Sequence, residues 1–214
     1  MSEIAPSITV ETAEEFKAAI ERLQPFASRV HIDISDGEFA PTFLLDEKQI
    51  YWPKEWVVDI HAMVARPQEH LASLIALKPN LIVFHVETGV NLVPILDEIR
   101  KNGIKAGIAL QRPTVPLTVA GAIKSADHVL VFSGDLGHYG GTASLMQLEK
   151  VRLIKAINPN VEIGWDGGVS MENAYMLTQG GVNVLNTGGA IAKATDPALA
   201  YATLVKEISK HGVI

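Results

Sequence analysis

Histidines and carboxylates stand two residues apart at several places in the chain. His31 and Asp33 do so in Arg-Val-His-Ile-Asp-Ile, Asp59 and His61 do so with Met63 in Val-Val-Asp-Ile-His-Ala-Met, and His85 does so with Glu87 in Val-Phe-His-Val-Glu-Thr. Within β-branched runs that spacing puts both polar side chains on one face of a strand, while Val30, Ile32 and Ile34 take the other. Asp166 follows Glu162-Ile-Gly-Trp165 and opens Asp-Gly-Gly. One inward histidine is more often a hydrogen-bonded core residue than a ligand. Four strands delivering histidine or carboxylate to one rim is a different case, because buried charges need partners or a metal. Two imidazoles with two carboxylates suit Zn²⁺, Fe²⁺, Mn²⁺ or Co²⁺.

A second feature is glycine doublets late in the chain, Gly140-Gly141, Gly167-Gly168 and Gly188-Gly189. Glycine lets backbone N–H groups approach an anion, and the loops after the seventh and eighth strands of a barrel, with a following helix N-terminus, form a recurrent phosphate site. The pattern therefore points to a phosphorylated substrate. No Arg or Lys accompanies the doublets, so backbone dipoles are expected to do most of the holding.

The elements that must position these groups alternate along the chain. Strands are expected at Ile4–Thr9, Arg29–Ile34, Val57–Met63, Leu81–His85, Lys105–Leu110, His128–Ser133, Val161–Gly164 and Val182–Asn186. Between them lie amphipathic helical patterns at Ala13–Leu23, Pro67–Leu77, Leu92–Lys101, Leu117–Lys124, Leu145–Ile157, Met171–Gln179 and Pro197–Lys210. Lys101-Asn102-Gly103 and Gln179-Gly180-Gly181 read as helix stops, and Asp196-Pro197 as N-cap and first helical residue. Strand–helix units repeated this way fit an α/β fold, a (β/α)8 TIM barrel with residues 1–214 as one domain; an open doubly wound sheet is the alternative. The long link from Asp36 to Trp56 is rich in Phe, Leu, Tyr and Trp, and is expected to carry a small helix or to pack over a barrel mouth.

The 214 residues carry 18 Lys+Arg against 24 Asp+Glu, a net charge of −6 without a basic run, which argues against nucleic acid as a partner. There are no cysteines, so disulfides, thiolate zinc sites and a cysteine nucleophile are excluded. No leader pattern and no stretch of about 18 apolar residues is seen, so the expectation is a soluble, cytoplasmic protein with no membrane partner.

In register along nearly the whole chain, the motifs resemble those of the ribulose-phosphate 3-epimerase family. They are Ile4-Ala-Pro-Ser7-Ile, His31-Ile-Asp33-Ile-Ser-Asp36-Gly37, Asp59-Ile-His61-Ala-Met63, Phe84-His85-Val-Glu87, Trp165-Asp166-Gly167-Gly168-Val169 and Asn186-Thr-Gly188-Gly189-Ala190. The resemblance implies one divalent metal held by His31, Asp33, His61 and Asp166, with Asp33 and Asp166 also acting as the acid/base pair. It implies that Ser7, His61 and the three doublets, Gly140, Gly141, Gly167, Gly168, Gly188 and Gly189, contact substrate. Inverting a carbon beside a ketone takes a proton from one face and returns one to the other, so a carboxylate is needed on each side. General acid–base catalysis supplies about 3–5.5 kcal/mol, short of the ~8 kcal/mol at the low end of enzymatic acceleration, so a Lewis acid is expected to help. The family's pattern is altered at Ser35, at Phe132, in Gln111-Arg-Pro-Thr114 and in the lid Asp135–Thr142.

The implied activity is 3-epimerisation of a ketose phosphate, D-ribulose 5-phosphate to D-xylulose 5-phosphate. The alternatives are a ketohexose 6-phosphate such as allulose 6-phosphate, or a noncatalytic phosphosugar-binding barrel. Decarboxylases and aldol-type synthases on similar barrels fit less well, since His31 and His61 stand where their lysines are expected. His70, His128 and His211 are assigned to surfaces or helices, while His138 and Tyr139 are candidates to close over substrate. The apolar residues of Phe43–Trp56 are candidates for a homo-oligomer contact or a barrel plug.

Overall fold

A computed structural model describes residues 2–138 and 140–210. Tyr139 and His211, both singled out above, lie outside the described residues. Eight parallel strands close into a barrel in sequence order: β1 (Glu3–Ile8), β2 (Arg29–Ser35), β3 (Val57–Met63), β4 (Leu81–His85), β5 (Lys105–Leu110), β6 (His128–Phe132), β7 (Glu162–Asp166) and β8 (Val184–Thr187). The helices are α1 (Ala13–Leu23), α2 (Pro67–Leu77), α3 (Val93–Lys101), α4 (Ala120–Ser125), α5 (Leu148–Ile157), α6 (Ala174–Gln179), α7 (Gly189–Ala192) and α8 (Pro197–Ile208). The (β/α)8 barrel is thus the observed fold, and the open sheet is not.

Local chemistry explains the helix boundaries. Thr12 and Glu15 form a reciprocal capping box at the start of α1, and Asp196 accepts the Leu199 N–H at the start of α8. Gly103 and Gly181 close α3 and α6 in the left-handed region. The outward faces of the strands, such as Val30, Ile32 and Ile34 on β2, join the helices in one large apolar core. Leu81, Val83, Ala109 and Leu130 form a separate apolar cluster on the inner face of β4–β6.

Several boundaries differ from those expected. β7 runs two residues further than read, placing Asp166 on the strand itself. The expected Leu117–Lys124 and Leu145–Ile157 helices begin instead with 3₁₀ turns at Pro116–Val119 and Leu145–Gln147. Among the described residues no helix follows β2. The 36–56 link covers that side as irregular chain, burying Leu45, Ile50 and Trp56 in the main core, while Ala40 and Leu44 pack with Met63, Phe39 and Leu136. So the link packs near the strand ends without a small helix, and leaves Phe43 and Tyr51 exposed.

The inward polar residues divide between the two ends of the barrel. At the N-terminal end Arg29, buried, donates from Nε to Asp59 Oδ2 (2.7 Å), and its terminal nitrogens reach Glu162 Oε2 (3.0 Å) and Glu3 Oε2 (3.2 Å). His128 joins this cluster through Glu162 Oε2 at 2.8 Å. This corrects two expectations. Asp59 shares the parity of His61 but stands two residues earlier on β3, and its carboxylate is held by Arg29 at the N-terminal end, so it does not join the rim set. His128 is buried on β6, not on a surface or helix.

Candidate active site

The C-terminal end of the barrel gathers the other set. Register places Asp33 beside His61 across β2–β3, Ser7 beside His31 across β1–β2, and Asp166 beside Asn186 across β7–β8. His31, Asp33, His61 and Asp166 each offer one ligand atom, and those atoms all lie within 4.8 Å of one another. Asp33 Oδ1 draws in His61 Nδ1 at 2.8 Å and His31 Nε2 at 3.2 Å. Asp166 Oδ2 stands 3.7 Å from His31 Nε2 and 3.8 Å from His61 Nδ1. The donor set fits a divalent cation, because two carboxylates, Asp33 buried and Asp166 half-buried, face the same pair of imidazole nitrogens.

Environment separates the two carboxyls. Burial works against the Asp33 charge, but His31 and His61 outweigh it and hold that carboxyl well below the ordinary range. Burial and the neighbouring Asp33 charge push Asp166 up to about 6. His31 is raised, since the attraction of Asp33 overcomes the cost of burial. Burial lowers His85 to about 4 against the pull of Glu87.

Asp33 Oδ2 also accepts from the Thr9 hydroxyl at 2.5 Å. Reading β1 residue by residue signals this contact, since Thr9 has the parity of Ser7. Glu87 and His85 form a pair as expected, at 3.1 Å, and His85 Nε2 continues to His61 Nε2 at 2.8 Å. Phe132 closes on both His61 and His85, with centroids 5.8 and 5.6 Å away. His70 is half-buried on α2 and bonds Glu47. His138 bonds Thr42 through Nε2 at 3.1 Å, tying the lid to the β2 link.

A cleft of about 340 Å³ opens beside these groups, with Ser7, Met63 and all six doublet glycines on its walls. The doublets play different parts. A Cβ on Gly167 (φ +98°) would sit 2.0 Å from Gly134 N, and the Gly168 N–H already donates to Gly140 O at 3.1 Å, so this pair serves the close approach of two loops. Gly140, by contrast, faces open space, and a Cβ on Gly189 would meet nothing nearer than 3.8 Å. The expectation that no cation accompanies the doublets is corrected: Lys193, one turn of α7 beyond Gly189, lines the cleft. Asn186 was also missed. Its Oδ1 is buried on the same wall without a hydrogen-bond partner among the described residues.

The family model described as "Ribulose-phosphate 3 epimerase family" matches residues 3–192. The chain belongs to the ribulose-phosphate 3-epimerase family. It thereby stands among isomerases, and five of the motifs that carried the resemblance supply the cleft with Ser7, Asp33, Met63, Asp166 and Gly188. Ribulose-phosphate 3-epimerase of Helicobacter pylori is 30% identical over 205 residues, which cover 92% of this chain and 94% of that one. The chloroplastic ribulose-5-phosphate-3-epimerase of Arabidopsis thaliana is 27% identical over 84% of this chain, which spans 66% of that relative's length. Among solved structures, 3-hexulose-6-phosphate synthase from Salmonella typhimurium superposes with a TM-score of 0.71 at 15% identity, covering 97% of this chain and 98% of that one, a likeness of fold. Among the described residues no helix is long and apolar enough to cross a membrane.

Proposed function

We propose that the protein, as one barrel domain over residues 1–214, is a metal-dependent 3-epimerase of a ketose phosphate, converting D-ribulose 5-phosphate to D-xylulose 5-phosphate. The observation that carries this reading is the meeting of two carboxylates, pushed apart in acidity, on the wall of one cleft, with two buried imidazoles within ligand reach of both. Asp33, held ionised and steadied by Thr9, removes the proton from carbon 3 on one face, giving an enediolate. Asp166, the weaker acid, returns a proton on the opposite face. Each turnover leaves Asp33 protonated and Asp166 ionised, so loss of one proton from Asp33 to solvent and uptake of one by Asp166 resets the pair, and the reverse reaction starts from the exchanged state.

His31, Asp33, His61 and Asp166 would hold one divalent ion, Zn²⁺, Fe²⁺, Mn²⁺ or Co²⁺. Such an ion supplies Lewis-acid stabilisation of the negative charge that develops on substrate oxygens, worth several kcal/mol. Ser7 and the doublets line the substrate's path, and Gly188, Gly189 and Lys193 form the wall suited to its phosphate; His61, whose side chain is fully buried, is not on that wall and serves the metal set instead. One observation favours a second reading: Asn186 Oδ1, without a partner among the described residues, offers an acceptor for a further hydroxyl, as a ketohexose 6-phosphate would provide.

The test is a coupled epimerisation assay on metal-analysed protein with chelated and re-metallated controls, run on both substrates. Turnover of D-ribulose 5-phosphate that is lost on chelation and restored by metal supports the first reading. Turnover of the ketohexose phosphate alone supports the second. A protein that binds phosphosugar and turns over neither is a noncatalytic barrel.

A further inference from the structure

We propose that Glu87 and His85 are positioning residues that keep a proton on His61 Nε2 and so leave Nδ1 as the nitrogen that gives its lone pair toward Asp33 and Asp166. The argument is proton counting along one buried chain. Glu87 Oε1 receives the Gln111 backbone N–H at 2.7 Å and the Thr114 hydroxyl at 2.5 Å, and its Oε2 faces His85 Nδ1 at 3.1 Å. An ionised carboxylate only accepts, so His85 carries its proton on Nδ1. His85 Nε2 is then a lone pair, 2.8 Å from His61 Nε2. Two nitrogens this close share one proton, and it must come from His61.

The rings have little freedom to escape this order. The side chains of His61 and His85 are fully buried, and the Phe39 ring lies 4.9 Å from His85. With Nε2–H committed to His85, the nitrogen of His61 that can shed its proton is Nδ1, 2.8 Å from Asp33 Oδ1. A carboxylate–histidine pair behind a ligand histidine orients it and fixes its tautomer, and losing such a partner typically weakens metal affinity about 10–100-fold.

Glu87→Gln separates this role from packing. The amide is nearly isosteric, and the Gln111 N–H, a donor that cannot reverse, keeps the amide oxygen on its own side. The amide –NH₂ therefore turns toward His85 Nδ1, which must accept. The proton of His85 moves to Nε2, His61 Nε2 becomes the acceptor, and His61 Nδ1 is left protonated. Glu87→Ala removes the anchor without imposing the wrong order.

The inference rests on the metal reading above, and zinc affinity by chelator competition tests it on wild type and both variants. The expected result is that E87Q binds Zn²⁺ about 10–100-fold more weakly than wild type and more weakly than E87A. In thermal unfolding of the metal-free protein E87Q should nonetheless stay nearer wild type. A purely structural Glu87 gives the opposite affinity order, and zinc binding by E87Q equal to wild type or tighter than E87A overturns the proposal. Wild-type protein that binds no zinc overturns the metal reading instead. In that event ¹⁵N–¹H correlation spectra of the histidines, which need only wild type and E87Q, decide the relay. A His61 Nε2–H in wild type that is absent from E87Q upholds it, and identical spectra refute it.

Discussion

Replacing Asp166 with asparagine should stabilise the metal-free protein while abolishing its proposed chemistry. Burial and the Asp33 charge push Asp166 from an ordinary 3.8 up to about 6. Folding therefore raises the affinity of this carboxyl for its proton, and the stability linked to that proton is fully present below about pH 3.8 and lost as the pH rises through about 6. About two pH units at 1.36 kcal/mol each makes the ionised carboxylate cost about 3 kcal/mol at pH 8. Asparagine keeps the shape and the acceptor that faces the Gly167 N–H, but carries no charge for Asp33 to repel. Chelator-stripped Asp166→Asn should then be more stable than wild type by about 2–3 kcal/mol at pH 8, roughly 5–10 °C in Tm for a chain of this size, and level with it near pH 4. Added Zn²⁺ should reverse the order, because a ligand that binds the native state stabilises it in proportion to its affinity and the variant lacks one of four ligands. Calorimetry across pH 4–8, with and without zinc, measures both effects. A metal-free variant no more stable than wild type at pH 8, or a difference that does not change with pH, would refute the reasoning. Epimerisation by the variant at the wild-type rate would reject Asp166 as the acid.

Other perturbations test other contacts. Metal affinity should rise with pH between 5 and 8, by roughly tenfold per pH unit for each proton displaced, because Asp33 overcomes burial to raise His31 and the metal must displace that proton; affinity that stays level over this range, measured by titration, would sink the four-ligand model. Thr9→Val removes the 2.5 Å bond to Asp33 Oδ2. Hydrogen bonds to charged groups are worth about 1.5–3 kcal/mol, so kcat should fall roughly tenfold or more with the fold retained, and an unchanged kcat would dismiss the contact. Arg29→Leu leaves Asp59, with a side chain 2% exposed, without its cation. Breaking a buried pair in this way costs about 3–5 kcal/mol. The denaturation midpoint should drop accordingly while kcat per folded molecule holds, since this cluster sits at the opposite end of the barrel from the cleft.

Much of the fold was legible because period-2 and period-3.6 patterns report burial directly. β2 shows both the reach and the limit of that reading. Parity assigns His31 and Asp33 to the inner face, where they are, and assigns Asp59 and His61 to the inner face of β3 just as firmly. Parity carries no information about height along the barrel, however: Asp59 is bound down to Arg29, two residues before His31 on β2, while His61 pairs with Asp33. The 36–56 link was opaque for another reason. It fills a helix's place with Leu45, Ile50 and Trp56 at no regular period, so apolar content suggested an element where irregular chain packs. Lys193 escaped notice because the turn that brings it back to the cleft, α7, is four residues long and leaves no periodic trace.

The two polar clusters inside the barrel use similar residues to opposite ends, and the difference lies in which cation each strand supplies. At the N-terminal end Arg29, a charge that does not titrate in any accessible range, sits among Asp59, Glu162 and Glu3 and satisfies them permanently. At the C-terminal end the ion pairs of Asp33 and Asp166 among the described residues are with His31 and His61 alone. Imidazole can give up a proton and keep its lone pair, so the same two carboxylates and two imidazoles can turn to a metal with no change of fold. An arginine at either histidine would neutralise the carboxylates and close the site; it is the choice of histidine that leaves two carboxylates on the cleft wall unequal in acidity and open to chemistry.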